Sequence, residues 1–176
     1  ATTFQFQYGA TAAAWATGNN LNTARGSLAG AGTQTAGLAF GGDTGPAASA
    51  LTESYNGTNW TEVGDLNTAR PALAGAGTNT AALAFGGQPV TAVTELWNGT
   101  NWTEVNNLGT ARYYLGGAGT STAALAFGGY SGTASLNATE TWNGTNWTAV
   151  NNLNTSRYNV SGAGTNTSAL AIGGTP

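Results

Sequence analysis

The chain has 176 residues, and 40% of them are hydrophobic, so it is long enough to form one domain with a buried core. It carries four basic and seven acidic side chains, which give a formal net charge of −3 and no basic cluster that could follow a phosphate backbone. We therefore expect a single domain over residues 1–176 and no nucleic acid among its partners.

The residue types that usually carry chemistry are rare. The chain contains no Cys, His or Met, so it lacks the common ligands of zinc, copper and haem and the most common general base. Its acidic residues show no paired spacing typical of a glycosidase or a calcium loop. We expect no catalytic site, no metal site, no cofactor and no enzymatic activity. No apolar run reaches the roughly 18 residues of a membrane-spanning helix, so no membrane insertion is expected.

The first predicted elements are two strands at the N terminus, over residues 4–8 and 13–17. A unit then begins at Arg25 and recurs at intervals of 45, 42 and 45 residues, and pairs of glycines and single tryptophans keep the same intervals. Self-similarity of this kind indicates a repeat architecture. The predicted repeats are a half unit over 1–24, three full units over 25–69, 70–111 and 112–156, and a second half unit over 157–176.

Each full repeat predicts four short strands and no helix. In the unit that begins at Arg70, strands are expected over 73–77, 81–85, 93–97 and 101–105. The second strand ends on Gly86-Gly87, a variable stretch follows, and the last two strands form a hairpin. A period of about 40 to 50 residues with four strands is typical of a β-propeller blade.

The unit resembles the kelch repeat in four spaced features. These are an Arg before the first strand, a Gly-Gly pair at the end of the second, an aromatic residue closing the third and a Trp opening the fourth. In the unit from Arg70 the last three features are Gly86-Gly87, Trp97 and Trp102. The resemblance covers essentially the whole chain and implies a kelch-like β-propeller.

The two ends of the chain carry complementary halves of one unit. The N-terminal half has the third and fourth strands, and the C-terminal half has the first and second, over 160–164 and 168–172. Pairing the halves would remove two exposed sheet edges. We expect an all-β, four-bladed, kelch-like β-propeller closed by pairing the C-terminal strands with the N-terminal strand pair. Closure between chains, which gives a homo-oligomer or a fibre, is the alternative.

The segment Asn98-Gly-Thr-Asn-Trp-Thr recurs almost unchanged at Asn56 and Asn143. Asn-Gly favours a two-residue type I′ hairpin turn, whose central residues both need positive φ. The same letters contain Asn-x-Thr triplets, which accept glycans where that machinery exists. Because a chain rich in Asn and Thr produces such triplets by composition, the turn is the preferred interpretation. The candidate acceptors are Asn56, Asn98, Asn143 and Asn137.

The repeated Trp and Arg residues are expected to be structural. The tryptophans are predicted to pack one sheet on the next, in preference to forming a sugar platform; they are Trp15, Trp60, Trp102 and Trp147. A buried charge without a partner is costly, so the arginines Arg25, Arg70, Arg112 and Arg157 are expected to pair with Glu53, Glu95 and Glu140 or with backbone groups. A ring of four arginines that holds an anion is the alternative.

The sequence varies most between each Gly-Gly pair and the following strand, over 43–50, 88–92 and 130–137. Loops on a rigid frame commonly carry recognition, so the candidate ligand-binding residues are Pro46, Pro89 and Tyr130. We expect a non-catalytic binding or adhesion module, extracellular, on a cell surface or on a virion, as in a phage tail fibre, that recognises a glycan or a cell-surface protein. The alternative is a structural subunit of a fibre or shell that self-assembles without a ligand.

Overall fold

The computed structural model describes residues 18–176. The strands predicted over 4–8 and 13–17, together with Trp15, lie outside the described residues. The described part is all-β and contains no helix. Accordingly, none of its elements is a helix long and apolar enough to cross a membrane.

The strands form three four-stranded antiparallel sheets and one two-stranded sheet. The first sheet comprises β1 (Ala29–Thr33), β2 (Ala36–Phe40), β3 (Thr52–Tyr55) and β4 (Trp60–Glu62). The second comprises β5 (Ala74–Gly77), β6 (Ala82–Phe85), β7 (Thr94–Trp97) and β8 (Trp102–Val105). The third comprises β9 (Gly116–Gly119), β10 (Ala124–Phe127), β11 (Thr139–Trp142) and β12 (Trp147–Val150), and the fourth β13 (Tyr158–Thr165) and β14 (Ser168–Thr175).

Within each four-stranded sheet, the strands follow one another in chain order as a meander. The four strands predicted for the unit from Arg70 are therefore confirmed, with bounds that differ by one residue at most for each strand end. The sheets are consistent with a β-propeller-like arrangement. No described strand joins the fourth sheet to the first, so the described residues do not close a ring.

The first strand of each sheet lies next to the first strand of the following sheet, in the order β1, β5, β9, β13. We call these four the inner strands. Glycine at their second or fifth position permits this approach, and Gly117 in β9 shows why: a methyl group there would lie 2.8 Å from the Gly75 carbonyl oxygen and 2.8 Å from the Phe85 ring. The predicted first strands therefore need small residues, because larger side chains would keep the sheets from packing this closely.

A relay of backbone hydrogen bonds joins the residues that precede the inner strands. The N–H of Ala72 donates to the Ser27 carbonyl, that of Tyr114 to the Ala72 carbonyl, and that of Asn159 to the Tyr114 carbonyl, each at 2.8 Å. All four residues have positive φ, between 50° and 57°, which is uncommon for residues other than glycine. The relay compensates for that strain and sets the four sheets in a common orientation.

Tryptophans fill the space between successive sheets. Trp102 of the second sheet lies 4.9 Å, between ring centroids, from Phe40 of the first, and Trp147 of the third lies 4.9 Å from Phe85 of the second. The Trp102 indole donates to Thr52 Oγ1 at 3.0 Å, and the Trp147 indole donates to Thr94 Oγ1 at 3.1 Å. The predicted role of these two tryptophans in sheet-to-sheet contact is therefore confirmed.

The hairpin at Asn98 differs from the predicted two-residue type I′ turn. Trp97 pairs with Trp102, so the loop has four residues, with Gly99 and Thr100 at its centre. Only Gly99 has positive φ, at 95°, whereas a type I′ turn needs two such residues. The Asn98 side chain decides the geometry, because its Oδ1 accepts the N–H groups of Thr100 and Asn101, both at 2.9 Å. Asn56 and Asn143 cap their loops in the same way.

Replacing Gly117 by Ala tests the spacing of the inner strands. We expect the free energy of unfolding to fall by about 1–3 kcal/mol, as for overpacking in other cores. Gly30→Ala is the matched control, because Gly30 has the same position in β1 and, among residues 18–176, its methyl group would meet only the Leu38 carbonyl oxygen, at 3.3 Å. Urea unfolding of both variants measures the difference, and equal losses would contradict this account of the glycines.

Candidate functional site

The connections of each sheet emerge at two opposite ends. In an antiparallel meander, the start of the first strand, the end of the second and the start of the third share one end, so the variable loops lie beside the residues that precede the inner strands. We call this end the upper face. The hairpins that begin at Asn56, Asn98 and Asn143 lie at the other end, the lower face.

Three loops of different sequence shape the upper face. The first, over 43–50, is held by Asp43, which exchanges backbone hydrogen bonds with Gly26 at 2.8 and 2.9 Å. The second, over 88–92, is held by a bond from Gln88 N–H to the Pro71 carbonyl at 2.9 Å. In the third, over 130–137, Tyr130 exchanges bonds with Tyr113 at 2.8 and 3.1 Å. The loops are therefore tied to the frame at their first residue.

The three candidate ligand-binding residues occupy one loop each. Pro46 and Pro89 are exposed, and Tyr130 is half-buried. The loops of the second and third sheets approach each other, since a methyl group on Gly132 would lie 3.0 Å from the Val90 side chain. The structure thus brings the loops of Pro89 and Tyr130 together, while Pro46 lies on the loop of the first sheet.

Tyr130 belongs to a cluster of four half-buried tyrosines, which we call the tyrosine quartet: Tyr113, Tyr114, Tyr130 and Tyr158. The ring centroids form a closed circuit with separations of 5.1 Å (113 to 114), 6.4 Å (114 to 158), 5.3 Å (158 to 130) and 5.7 Å (130 to 113). The four side chains line a cavity of about 230 Å³. No other tyrosines in the described part of the chain form such a circuit.

Sequence reasoning identified Tyr130 and missed the other three members of the quartet. A signal was present, because the two residues after each repeated Arg are Gly26-Ser27, Pro71-Ala72, Tyr113-Tyr114 and Tyr158-Asn159. Aromatic residues thus appear at these positions only in the last two repeats. Their meeting with Tyr130 depends on the bridge between Tyr113 and Tyr130 and on the angle between the third and fourth sheets.

A second cavity, of about 360 Å³, lies at the centre of the upper face, where all four sheets contribute. Its lining includes the four residues of the backbone relay, Ser27, Ala72, Tyr114 and Asn159. The next residue of each segment also lines the cavity and is apolar: Leu28, Leu73, Leu115 and Val160. One backbone arrangement therefore presents four different side chains around a shared opening.

The candidate glycan acceptors occupy different places. Asn56, Asn98 and Asn143 are exposed on the lower face, with Oδ1 engaged by backbone N–H groups of their own loops. Asn137 is half-buried, and its backbone carbonyl accepts the N–H of Leu153 at 2.9 Å. Glycosylation at these four residues stays a prediction.

Three arginines form buried ion pairs with the recurring glutamates. Arg25 lies 2.9 Å from Glu53, Arg112 lies 2.9 Å from Glu140, and Arg70 pairs with Glu95 in the same way. The three arginine side chains are completely buried. Burial lowers the pKa of Arg112, and the Glu140 carboxylate opposes that shift. The predicted pairing is confirmed for these three arginines.

Each pair also organises the segment that links two sheets. The Glu95 carboxylate accepts the N–H of Asn67 at 2.6 Å, and Arg70 donates to the Gly86 carbonyl at 2.9 Å. Glu53 and Glu140 accept the equivalent N–H groups of Asn22 and Gly109. Since these arginines are buried and neutralised, the alternative of a four-arginine anion ring is wrong for Arg25, Arg70 and Arg112. Arg157 donates to the Gly173 carbonyl at 2.7 Å.

Other site chemistry is sparse in the described part. Over residues 18–176, no group of three or more acidic, His or Cys side chains lies close enough to hold a metal ion. None of the family models scanned matches the chain, and a search of curated proteins finds none that is significantly similar. The geometry of the two faces therefore supplies the basis for a functional proposal.

Replacing Arg70 by Gln tests the structural role of the buried pairs. The change leaves the Glu95 carboxylate buried without its cation, so we expect the free energy of unfolding to fall by about 3–5 kcal/mol. The double variant Arg70→Met with Glu95→Leu should lose less, because neither charge remains buried. Glu62→Gln, at an exposed position in β4, is the control and should change stability by less than about 0.5 kcal/mol. Urea unfolding that gave equal losses for Arg70→Gln and Glu62→Gln would contradict this role.

Proposed function

We propose that the protein is a four-bladed, kelch-like β-propeller that acts as a non-catalytic binding module outside a cell or on a virus particle. Its ligand is a glycan or a cell-surface protein, and the upper face is the ligand-binding surface. The proposal has two parts, the closed ring and the binding role, and separate observations support them.

The binding role is supported by one observation: a constant backbone carries varied side chains on the upper face. Ser27, Ala72, Tyr114 and Asn159 share one uncommon backbone conformation and one hydrogen-bond relay, yet they are four different residue types. A purely structural repeat would favour the same residue, or glycine, at all four positions. Variation on a rigid frame is typical of recognition surfaces.

Closure of the ring is supported by a buried hydroxyl in the third sheet. Thr139 is 7% exposed, and its Oγ1 has no hydrogen-bond partner among the described residues. The equivalent hydroxyls of Thr52 and Thr94 accept the indole N–H of the tryptophan in the following sheet. In a four-bladed ring, the tryptophan that follows the third sheet is Trp15. Its indole N–H would donate to Thr139 Oγ1.

The start of the described chain supports the same closure. Asn19 donates to the Thr58 carbonyl at 2.8 Å and to Asn59 Oδ1 at 2.7 Å. Asn106, which directly follows the fourth strand of the second sheet, makes the equivalent two bonds to the third sheet, at 3.0 and 2.8 Å. Asn19 therefore makes the bonds that Asn106 makes directly after β8, and each of the two residues follows a tryptophan, Trp15 or Trp102, by four positions.

A structural subunit remains a second candidate function because the fourth sheet presents an apolar strand. Leu170 and Ile172 in β14 are 66% and 51% exposed among the described residues. The equivalent residues of the second sheet, Leu83 and Phe85, are fully buried. If the N-terminal strands of a second chain covered β14, closure would link chains and would build an oligomer or a fibre.

Substitutions at Trp15 and Thr139 test the ring. Trp15→Leu should reduce the free energy of unfolding by about 3 kcal/mol if it removes an aromatic ring from a filled space. Thr139→Val should cost about 1 kcal/mol through the lost hydrogen bond, and the two losses should not add in the double variant, because they concern one contact. Strictly additive losses would contradict the Trp15 contact.

Native mass spectrometry of the unaltered protein separates the two modes of closure, since closure within one chain gives a mass of 17.5 kDa and closure between chains gives multiples of that mass.

Exchange of the upper loops tests the binding role. A variant in which the loop over 88–92 replaces those over 43–50 and 130–137 should fold, because the last residues of the three loops, Ala50, Ala92 and Asn137, accept equivalent backbone hydrogen bonds from Leu66, Leu108 and Leu153. Saturable binding to a glycan array or to intact cells should be lost, while the urea midpoint should shift little. A matched variant with altered Thr58 and Thr100 on the lower face should retain binding. Retained binding in the upper-loop variant would contradict a ligand surface at this face.

A further inference from the structure

The tyrosine quartet has the dimensions of an aromatic cage. If the circuit is flat and close to square, sides of 5.1–6.4 Å leave a central point about 4 Å from each ring centroid, well inside the roughly 6 Å over which a cation and an aromatic ring attract each other. The rings are tilted by 40° to 76° to their neighbours, so they do not stack into a solid layer. The cavity that they line, of about 230 Å³, is large enough for a small organic cation.

The net charge of the chain as a whole favours a cationic ligand over an anionic one. All eleven charged side chains lie within the described residues, and three Arg–Glu pairs neutralise six of them. Arg157 remains, against the acidic residues Asp43, Glu62, Asp65 and Glu104. An excess of negative charge over the whole molecule attracts cations more than anions, although Arg157 directly precedes Tyr158 of the quartet in the sequence.

The lining of the cavity distinguishes a cation from other ligands. An anion would meet no basic side chain, since only tyrosines line the cavity. A sugar ring needs several hydrogen-bond partners around its edge besides a stacking face, and the phenol hydroxyls are the only polar side-chain groups that the lining offers. A trimethylammonium group has no hydrogen-bond donor to satisfy, and its positive charge is attracted to the negative faces of the rings.

We propose that the tyrosine quartet binds a quaternary ammonium group, such as the trimethylammonium of choline or of a trimethylated lysine. The inference rests on the proposed function, because it gives the upper face a ligand class. The four rings surround the methyl groups, and no covalent step is involved. The glycan or protein recognised by the module would carry this group.

Titration with choline and with a neutral analogue of the same shape tests the site. The unaltered protein is titrated with choline and with 3,3-dimethylbutan-1-ol, in which carbon replaces the nitrogen and the charge is lost. Choline should shift the tyrosine ring resonances in an NMR spectrum in a saturable way, and the neutral analogue should bind about tenfold more weakly. Equal binding of the two compounds, or no saturable shift with choline, would overturn the proposal.

Variants of the quartet identify the site of binding. Tyr130→Phe keeps the aromatic face and should bind choline within about twofold of the unaltered protein. Tyr130→Leu and Tyr158→Leu remove a face, and each should weaken binding about fivefold or more. Tyr55→Leu is the matched control, because Tyr55 packs on Trp60 at 5.0 Å near the lower face and should leave binding unchanged. Urea unfolding of each variant separates lost binding from lost structure, and a loss in Tyr130→Phe equal to that in Tyr130→Leu would overturn the cage.

Three further titrations have two purposes. They show whether a lipid or a peptide carries the ammonium group, and they test the ammonium cage separately from the proposed binding module. Phosphatidylcholine vesicles and a trimethyllysine peptide, each compared with its unmethylated counterpart, show whether a lipid headgroup or a peptide presents the group better. Methyl pyranosides form the third arm. Binding of a sugar without binding of choline would overturn the cage and leave the binding module in place. Loss of glycan and cell binding by the upper-loop variant, together with choline binding by the unaltered protein, supports both.

Discussion

The buried arginine–glutamate pair is the interaction on which each of the three four-stranded sheets depends. In the second sheet it joins three parts of the chain: the linking segment at Asn67, Gly86 directly after β6, and Glu95 in β7. Neither charge could remain buried alone, because desolvation costs several kcal/mol per ion. The pair therefore sets the position of the link between two sheets. It also explains why so few charges recur so regularly in the sequence.

The spacing of the sheets follows from that link. Once the segments before the inner strands are held, their carbonyl and N–H groups meet in the relay through Ser27, Ala72, Tyr114 and Asn159. Backbones this close leave room for hydrogen atoms and methyl groups only, so β5 and β9 consist of Gly and Ala, and β1 and β13 contain Gly-Ala-Gly over 30–32 and 162–164. Farther out the sheets diverge, and Trp102 and Trp147 fill the wider gap. The side chains between neighbouring sheets therefore become larger from the inner strands outwards, because the distance between the sheets increases in that direction.

The sheets hold two sets of loops at opposite ends, and the two sets differ in how much their sequences vary. On the lower face, the Asn side chain caps its own loop at Asn56, Asn98 and Asn143, and this local solution recurs in each unit. On the upper face, the loops are tied to the frame at their first residue and are free to vary beyond it. Tyrosines accumulate there on one side only, around the third and fourth sheets. The upper face is therefore the face on which the units differ.

The sequence alone determined the repeat, the strand order within a unit, the pairing of Arg with Glu and the role of Trp102 and Trp147, because each depends on local pattern or on the cost of burying a charge. It did not determine the turn at Asn98, where a side-chain cap outweighs the Asn-Gly preference. Nor did it determine the tyrosine quartet. Tyr114 and Tyr158 are separated by 44 residues in the chain, and only the angle between adjacent sheets brings their ring centroids to 6.4 Å from each other. That angle results from packing across the inner strands, which no single unit contains.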